Sequence, residues 1–147
     1  MVVTIIYALL LLAILLGLMR GGGPERIIAA VLASMVAIDR VAHELLAGLD
    51  RCSLDQFHLA LDLAGLAAMV AVALTSRRYW PLWASSCQLI STLTHLAWLL
   101  GTRLPMRVYL VMDIAPSVLI SIALIVGVGA HNRRLKRRGS DPSWKGS

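Results

Sequence analysis

The chain alternates between long apolar stretches and short polar breaks, and this alternation predicts five helices. Each apolar stretch is close to the roughly 20 residues that a membrane-spanning helix requires. The stretches cover residues 2–19, 27–48, 58–76, 81–100 and 108–130. Between the first two lies a helix-breaking run of three glycines and a proline, at residues 21–24. The sequence therefore predicts an all-α fold, a polytopic transmembrane helical bundle with five spans.

The second stretch leaves two topologies open. It is apolar through Ile38 and then carries four ionisable residues before Gly48. At about 1.5 Å per residue, a helix over residues 27–48 is about 33 Å long, which is enough to cross the bilayer. The charged residues also suit a helix that enters the bilayer only halfway. The alternative architecture is therefore four spans plus one half-inserted helix.

Composition and charge agree with a membrane protein. Hydrophobic residues make up 59% of the 147 residues and charged residues 15%, against about 45–50% and about 25% in soluble domains. The formal net charge is +6, and with five spans most of the basic residues fall on one side. The positive-inside rule assigns that side to the cytoplasm and the N-terminus to the outside. Because membrane orientation accounts for the basic excess, the sequence does not predict a nucleic-acid partner.

The basic residues also predict where the chain meets lipid headgroups. Arginine and lysine beside aromatic residues are typical of the membrane interface. The predicted headgroup contacts are Arg77, Arg78, Trp80, Arg133, Arg134, Lys136, Arg137 and Arg138. Residues 132–147 form a basic, polar tail that we expect to be cytoplasmic and disordered.

Several polar residues fall inside the apolar stretches at similar depths. At about 1.5 Å per residue, ionisable groups from four spans reach one level in the outer half of the bilayer. A charged group there costs about 2.5 kcal/mol or more, so it usually faces a partner or water. The candidate intramembrane polar site consists of Asp39, Arg40, His43, Glu44, Asp62, Gln88, Thr92, His95 and Asp113.

This polar layer supports a structural and a functional interpretation. Asp39 with His43, and Arg40 with Glu44, have the i, i+4 spacing of pairs on one helix, which suits a layer that only holds helices together. An excess of carboxylates near histidines also suits a site that holds a proton or a cation.

Metal and haem chemistry have candidate residues as well. Imidazole and carboxylate groups together suit divalent transition metals. The metal-ligand candidates are His43, His95, Asp62 and Asp113. Haem needs two histidines on facing helices, and His43 with His95 is the pair that fits. His58 is expected at the membrane interface and His131 at the end of the last helix, and the cofactor stays unknown.

Sequence signatures of soluble enzymes are absent. The chain contains no GxSxG motif, no glycine-rich phosphate loop followed by lysine, and no CxxC pair. No catalytic motif is found, so the chain is not predicted to be an enzyme.

Three segments carry a resemblance to a group of proteins. They are GGPER at residues 22–26, SRRYWPLWA at residues 76–84 and LTHLA at residues 93–97. These segments resemble those of small uncharacterised multi-span inner-membrane proteins of GC-rich bacteria. The resemblance implies a location in the bacterial inner (plasma) membrane, and the group has no assigned activity to carry over.

The sequence thus predicts a small integral inner-membrane protein that acts as an accessory or interaction subunit of a membrane complex. Its expected partners are the lipid bilayer and another membrane protein or a second copy of the chain. The alternative is a proton- or cation-coupled binding or transport site in the outer half of the bilayer. A third possibility is a haem or quinone pocket.

Overall fold

Five helices packed in a ring make up the fold. The computed structural model describes residues 2–45, 51–102 and 105–145. The helices are α1 (Val2–Arg20), α2 (Gly23–Leu45), α3 (Arg51–Thr75), α4 (Trp80–Leu99) and α5 (Met106–Arg138). Each helix packs against the next along the chain, and α5 packs against α1, so the ring closes. The predicted all-α bundle of five helices is confirmed.

Proline and glycine mark the ends of several helices. Pro24 and Pro81 occupy the second positions of α2 and α4, and Pro105 precedes α5. Proline is tolerated there because the first backbone N–H groups of a helix have no partner within it. At the other end of α5, Gly139 adopts a left-handed conformation with φ +71° and donates its N–H to the carbonyl of Leu135.

A layer of apolar side chains fills the middle of the ring. Ile28, Met69 and Leu124 are among its fully buried members. The core consists of Leu10, Ala13, Ile14, Ile28, Ala29, Leu32, Met69, Val72, Ala84, Ile120, Leu124 and Val128. In α2 this layer lies between Glu25 near one end of the helix and Asp39 near the other.

Helix α4 turns its polar face inward and its apolar face outward. The buried polar residues of this helix are Ser85, Gln88, Ser91, Thr92, Thr94 and His95. The exposed large apolar residues are Leu82, Trp83, Leu89, Ile90, Leu93, Leu96, Trp98 and Leu99. This is the reverse of a surface helix in a water-soluble protein, which buries its apolar face.

Within the described ranges, two helical segments are long and apolar enough to cross a membrane by themselves. They are Gln56–Thr75 in α3 and Leu110–Arg138 in α5. A third apolar segment, Thr4–Arg20 in α1, is shorter. By length and composition alone, then, two of the five helices qualify as spans.

The C-terminal segment differs from the disordered tail that the sequence predicts. Residues 132–138 continue α5, and residues 139–145 fold back onto the bundle. The Arg77 N–H donates to the Ser143 carbonyl at 3.0 Å, and the Lys145 N–H donates to the Thr75 carbonyl at 2.9 Å. Trp144 packs against the apolar core. The tail is therefore held by contacts with the loop between α3 and α4.

A buried carboxylate fastens this segment. Asp141 accepts hydrogen bonds from His131 Nδ1 at 2.6 Å and from Arg134 Nε at 3.0 Å, and it forms an ion pair with Arg78. Burial alone raises the pKa of Asp141, but the interactions with Arg78, His131 and Arg134 outweigh burial and lower that pKa below its ordinary value. Asp141 is therefore a carboxylate that stays ionised to acidic pH.

Three of the predicted headgroup residues form contacts within the protein. Arg78 and Arg134 pair with Asp141, and Trp80 donates its indole N–H to Glu25 Oε1 at 3.1 Å. Their polar groups are thus turned toward the protein, contrary to the expectation that they contact lipid headgroups. The remaining predicted headgroup residues are exposed, namely Arg77, Arg133, Lys136, Arg137 and Arg138.

Candidate functional site

A cavity of about 480 Å³ lies inside the ring, toward the end at which α2 stops. All five helices contribute to its wall. The polar residues in the wall are Asp39, His43, His58, Asp62, Gln88, Ser91, His95 and Ser117. The wall also includes apolar side chains of the core, among them Leu10, Leu32 and Ile120. Its polar groups therefore lie between an apolar floor and the end of the bundle.

Asp62 of α3 forms the buried end of the polar wall. Gln88 Nε2 donates to Asp62 Oδ1 at 3.0 Å, and Ser91 Oγ donates to Oδ2 at 2.9 Å. His95 Nε2 lies 3.7 Å from the same Oδ2. Gln88 and Ser91 are neutral donors, so they orient the carboxylate without adding positive charge. A proton or cation reaching His95 or the carboxylate would change the charge of this end of the cavity.

Asp39, His43 and His58 form the outer end. His58 Nε2 lies 3.0 Å from Asp39 Oδ1. His43 Nδ1 lies 3.4 Å from the same Oδ1 and 2.9 Å from the main-chain carbonyl of Asp39. One donor atom from each of the three residues can be chosen so that all lie within 4.8 Å of one another. Because α2 and α3 both contribute, this group is a contact between two helices.

The ring of His58 links the two ends. Its centroid is 5.3 Å from that of His43 and 5.7 Å from that of His95. The exposed fraction of the side chains falls along this row, from 52% for His43 to 24% for His58 and 9% for His95. Three imidazoles and two carboxylates thus lead from the surface into the bundle.

The position of His58 bears on the predicted haem pair. A haem held by His43 and His95 would lie between their rings, with its plane extending several ångströms to every side. The His58 ring contacts both of the others, so it occupies part of the volume that the macrocycle would need. Haem binding through His43 and His95 would require His58 to move away.

Of the other predicted site residues, Arg40, Glu44 and Thr92 lie outside the cavity wall. The Arg40 guanidinium stacks over the ring of Tyr7, 4.9 Å from its centroid. Glu44 is exposed near the end of α2, and it is not part of the wall. Thr92 is buried on α4 and donates to the main-chain carbonyl of Gln88 at 2.9 Å. The side chain of Asp113 lies outside the described part of the chain.

His58 and Ser91 belong to the polar wall but were not among the candidate site residues. His58 was expected at the membrane interface because it begins an apolar stretch, yet it precedes Asp62 by four residues and so shares its helix face. Ser91 follows Gln88 by three residues and precedes His95 by four, which is the spacing of one face. For both His58 and Ser91, the helical spacing to a predicted site residue is the signal that could have placed them in the wall.

The buried carboxylate of Glu25 lies beyond the apolar layer, at the opposite end of the bundle from the cavity. Glu25 has no exposed surface, and its Oε1 accepts the hydrogen bond from Trp80. The Trp80 ring covers Gly127, where an added Cβ would lie 2.8 Å from the indole. Ile28 and Leu32, one and two turns further along α2, separate Glu25 from the cavity.

Carboxylates alternating with imidazoles can hold protons or a cation. Histidine is the side chain whose charge changes most readily near neutral pH, and imidazole with carboxylate is also a donor set for divalent transition metals.

No family model matches the chain, and no curated protein or solved structure matches it.

Proposed function

We propose that the chain is a small integral protein of the bacterial inner membrane whose five helices all cross the bilayer. In this proposal the cavity binds protons or a metal cation from the outer side. The observation that carries the function is the row of three imidazoles and two carboxylates that becomes less exposed from His43 to His95.

The surface of the bundle supports a membrane location for all five helices. Helices of 19 to 33 residues are about 28 to 50 Å long, against a hydrocarbon core of about 30 Å. Large apolar side chains are exposed on every helix, including Leu11, Leu15, Ile38, Val41, Leu63, Leu74, Leu89, Leu93, Leu119 and Val126. Soluble monomers rarely expose continuous apolar surface of this kind. Lipid is the solvent in which this surface and the inward polar face of α4 are both favourable.

The charge distribution supports an outward-facing cavity. The end of the bundle opposite the cavity carries a set of exposed basic residues, namely Arg20, Arg26, Arg77, Arg133, Lys136, Arg137, Arg138 and Lys145. Basic residues that flank spans are concentrated on the cytoplasmic side. The cavity then opens toward the outside, with the N-terminus outside and the C-terminus in the cytoplasm.

The apolar floor favours binding over conduction. Leu10, Leu32 and Ile120 close the cavity toward the cytoplasmic end, and the fully buried Ile28 and Leu124 lie in the same apolar core. An ion would have to lose its hydration to pass this layer, at a high free-energy cost. A proton or cation entering from outside is therefore held by the polar groups of the cavity and does not pass the apolar floor.

Asp62→Asn tests this proposal. The amide is nearly isosteric with the carboxylate but removes the negative charge that would stabilise a bound proton or cation. We expect the purified variant to take up fewer protons per chain than the parent when the pH is lowered, as measured by potentiometric titration. Glu44→Gln removes a carboxylate outside the cavity wall and is expected to match the parent. Equal uptake by the parent and Asp62→Asn would contradict the proposal.

A second candidate function is that of an accessory subunit in a membrane complex. The observation in its favour is a row of exposed alanines along α3, Ala60, Ala64, Ala67 and Ala71. Small residues at this spacing let helices approach closely in lipid. Gentle detergent extraction followed by native mass measurement tests it, because a monomer with no associated protein counts against a subunit role.

A further inference from the structure

We infer that the outer end of the cavity is a binding site for a divalent transition-metal ion, with Asp39, His43 and His58 as its protein ligands. This inference rests on the proposed cation-binding function and names the class of cation. The sequence offered His43 as a metal-ligand candidate, but in combination with His95, Asp62 and Asp113. The structure brings His43 instead to Asp39 and to His58.

The distances already approach those of a metal shell. Bonds of about 2.0 to 2.1 Å to a four-coordinate ion separate neighbouring donor atoms by about 3.3 Å. Asp39 Oδ1 lies 3.0 Å from His58 Nε2 and 3.4 Å from His43 Nδ1. Since one donor atom per residue can be chosen with all three within 4.8 Å of one another, binding an ion requires the remaining donor–donor distance to shorten by at most about 1.5 Å to reach this separation.

One hydrogen bond has to change when the ion binds. His43 Nδ1 lies 2.9 Å from the main-chain carbonyl of Asp39, at a distance that suits donation of its hydrogen. The ring can exchange this bond for the metal, or turn so that Nε2 becomes the ligand while Nδ1–H keeps the carbonyl, as metal-bound histidines commonly do. His43 is half exposed two residues from the end of α2, so its ring has room to turn.

The donor set selects the class of ion. Two imidazole nitrogens and one carboxylate oxygen suit zinc, cobalt or nickel, whereas calcium and magnesium prefer sets made of oxygen alone. The cavity beside the three ligands has the volume for water at the remaining coordination positions. Asp62, deeper in the same cavity, adds negative charge that attracts a dication.

Zinc titration of the purified, chelator-treated protein in detergent tests this site. Isothermal calorimetry should give one Zn²⁺ per chain, and Co²⁺ in its place should give the visible absorption bands of a low-symmetry site. We expect His58→Ala to weaken Zn²⁺ binding at least about 100-fold, because even outer-shell partners of metal ligands contribute about 10- to 100-fold. His43→Ala is expected to weaken Zn²⁺ binding similarly. Because the His43 side chain is half exposed, its removal should leave the fold intact, so the loss would report on the metal site.

Glu44→Gln is the matched control, since it removes a carboxylate next to His43 in sequence but outside the cavity wall, and it should bind Zn²⁺ like the parent. Absence of Zn²⁺ binding, or parental affinity in both histidine variants, would overturn the metal site. If proton uptake still depends on Asp62 in that case, the metal inference fails alone. If uptake is also independent of Asp62, the proposed function fails with it.

Discussion

Replacing Asp141 with asparagine is expected to release the C-terminal segment from the bundle. The change removes the one carboxylate that Arg78, His131 and Arg134 share, and it leaves these basic groups close together. Removing one partner of a buried ion pair typically costs about 3 to 5 kcal/mol. A loss of about 3 kcal/mol raises the equilibrium constant for opening of the segment about 100-fold. Hydrogen exchange of residues 139–145 should therefore accelerate by about this factor.

The same cluster predicts a pH dependence. Because the pKa of Asp141 is lowered in the folded protein, its contribution to docking is complete above its unfolded pKa of about 3.9 and is lost as the pH falls through the lower folded value. The segment should stay docked from neutral pH to about pH 4 and open in stronger acid. In Asp141→Asn this acid-dependent loss of protection should be absent, because the group that titrates has been removed. Ser140→Ala, an exposed change one residue away, is the control, and equal protection in Asp141→Asn and Ser140→Ala would refute this role.

Gly17→Ala is expected to destabilise the packing of α1 against α2. A Cβ on Gly17 would lie 2.6 Å from the Cβ of Ala29 and 3.3 Å from the main-chain oxygen of Glu25. Neither atom is the end of a flexible side chain, so the two helices have to separate. Overpacking of this kind costs about 1 to 3 kcal/mol. The free energy of unfolding, measured by titration with a denaturing detergent, should fall by that amount.

Gly129→Ala provides the matched comparison. Gly129 lies within α5, and an added Cβ would meet no atom within 4 Å. Alanine has the higher helix propensity, so this variant should be neutral or more stable by up to about 1 kcal/mol. If both substitutions change the free energy of unfolding equally, the close approach of α1 and α2 at Gly17 is wrong.

The five helices could be predicted because their ends are local features of the sequence. Apolar runs of spanning length give the helices, and the glycine and proline run at 21–24 separates the first two. The observed helix ends differ from the predicted ones by a few residues, with α2 ending at Leu45 and α5 beginning at Met106. The largest difference is at the end of α5, which continues to Arg138. Basic residues are favourable in the last turn of a helix, although the same residues also suit a disordered tail.

The docked tail could not be predicted because its contacts join residues far apart in the sequence. The Lys145 ammonium donates to the Leu74 carbonyl, and Trp144 covers Gly23. From composition alone, a polar segment of this length is predicted to be disordered, because the residues it contacts in the fold are not known. Local composition does not reveal that Asp141 finds three basic partners.

The cavity was predictable in part. Asp62, Gln88 and His95 all appeared as polar positions inside apolar helices, and packing of α3 against α4 brings them together. His58 was missed because depth was estimated from helix ends, which favoured an interface position over a position in the wall. Arg40 was included for its depth, but it faces Tyr7 of α1. Depth alone does not determine the direction in which a side chain points, whereas helical spacing to a known wall residue does.

The proposed cation site requires that α2 crosses the bilayer and that the cavity opens to the outside. Single cysteines introduced by Arg26→Cys and Leu45→Cys, with Cys52 and Cys87 replaced by serine, mark the two ends of this helix at exposed positions. Both are then treated in intact cells with a maleimide that cannot cross the membrane. We expect Leu45→Cys to react in intact cells and Arg26→Cys to react only after the membrane is opened. Reaction of both from the same side would show that α2 does not cross, and the outward-facing cation site would be abandoned.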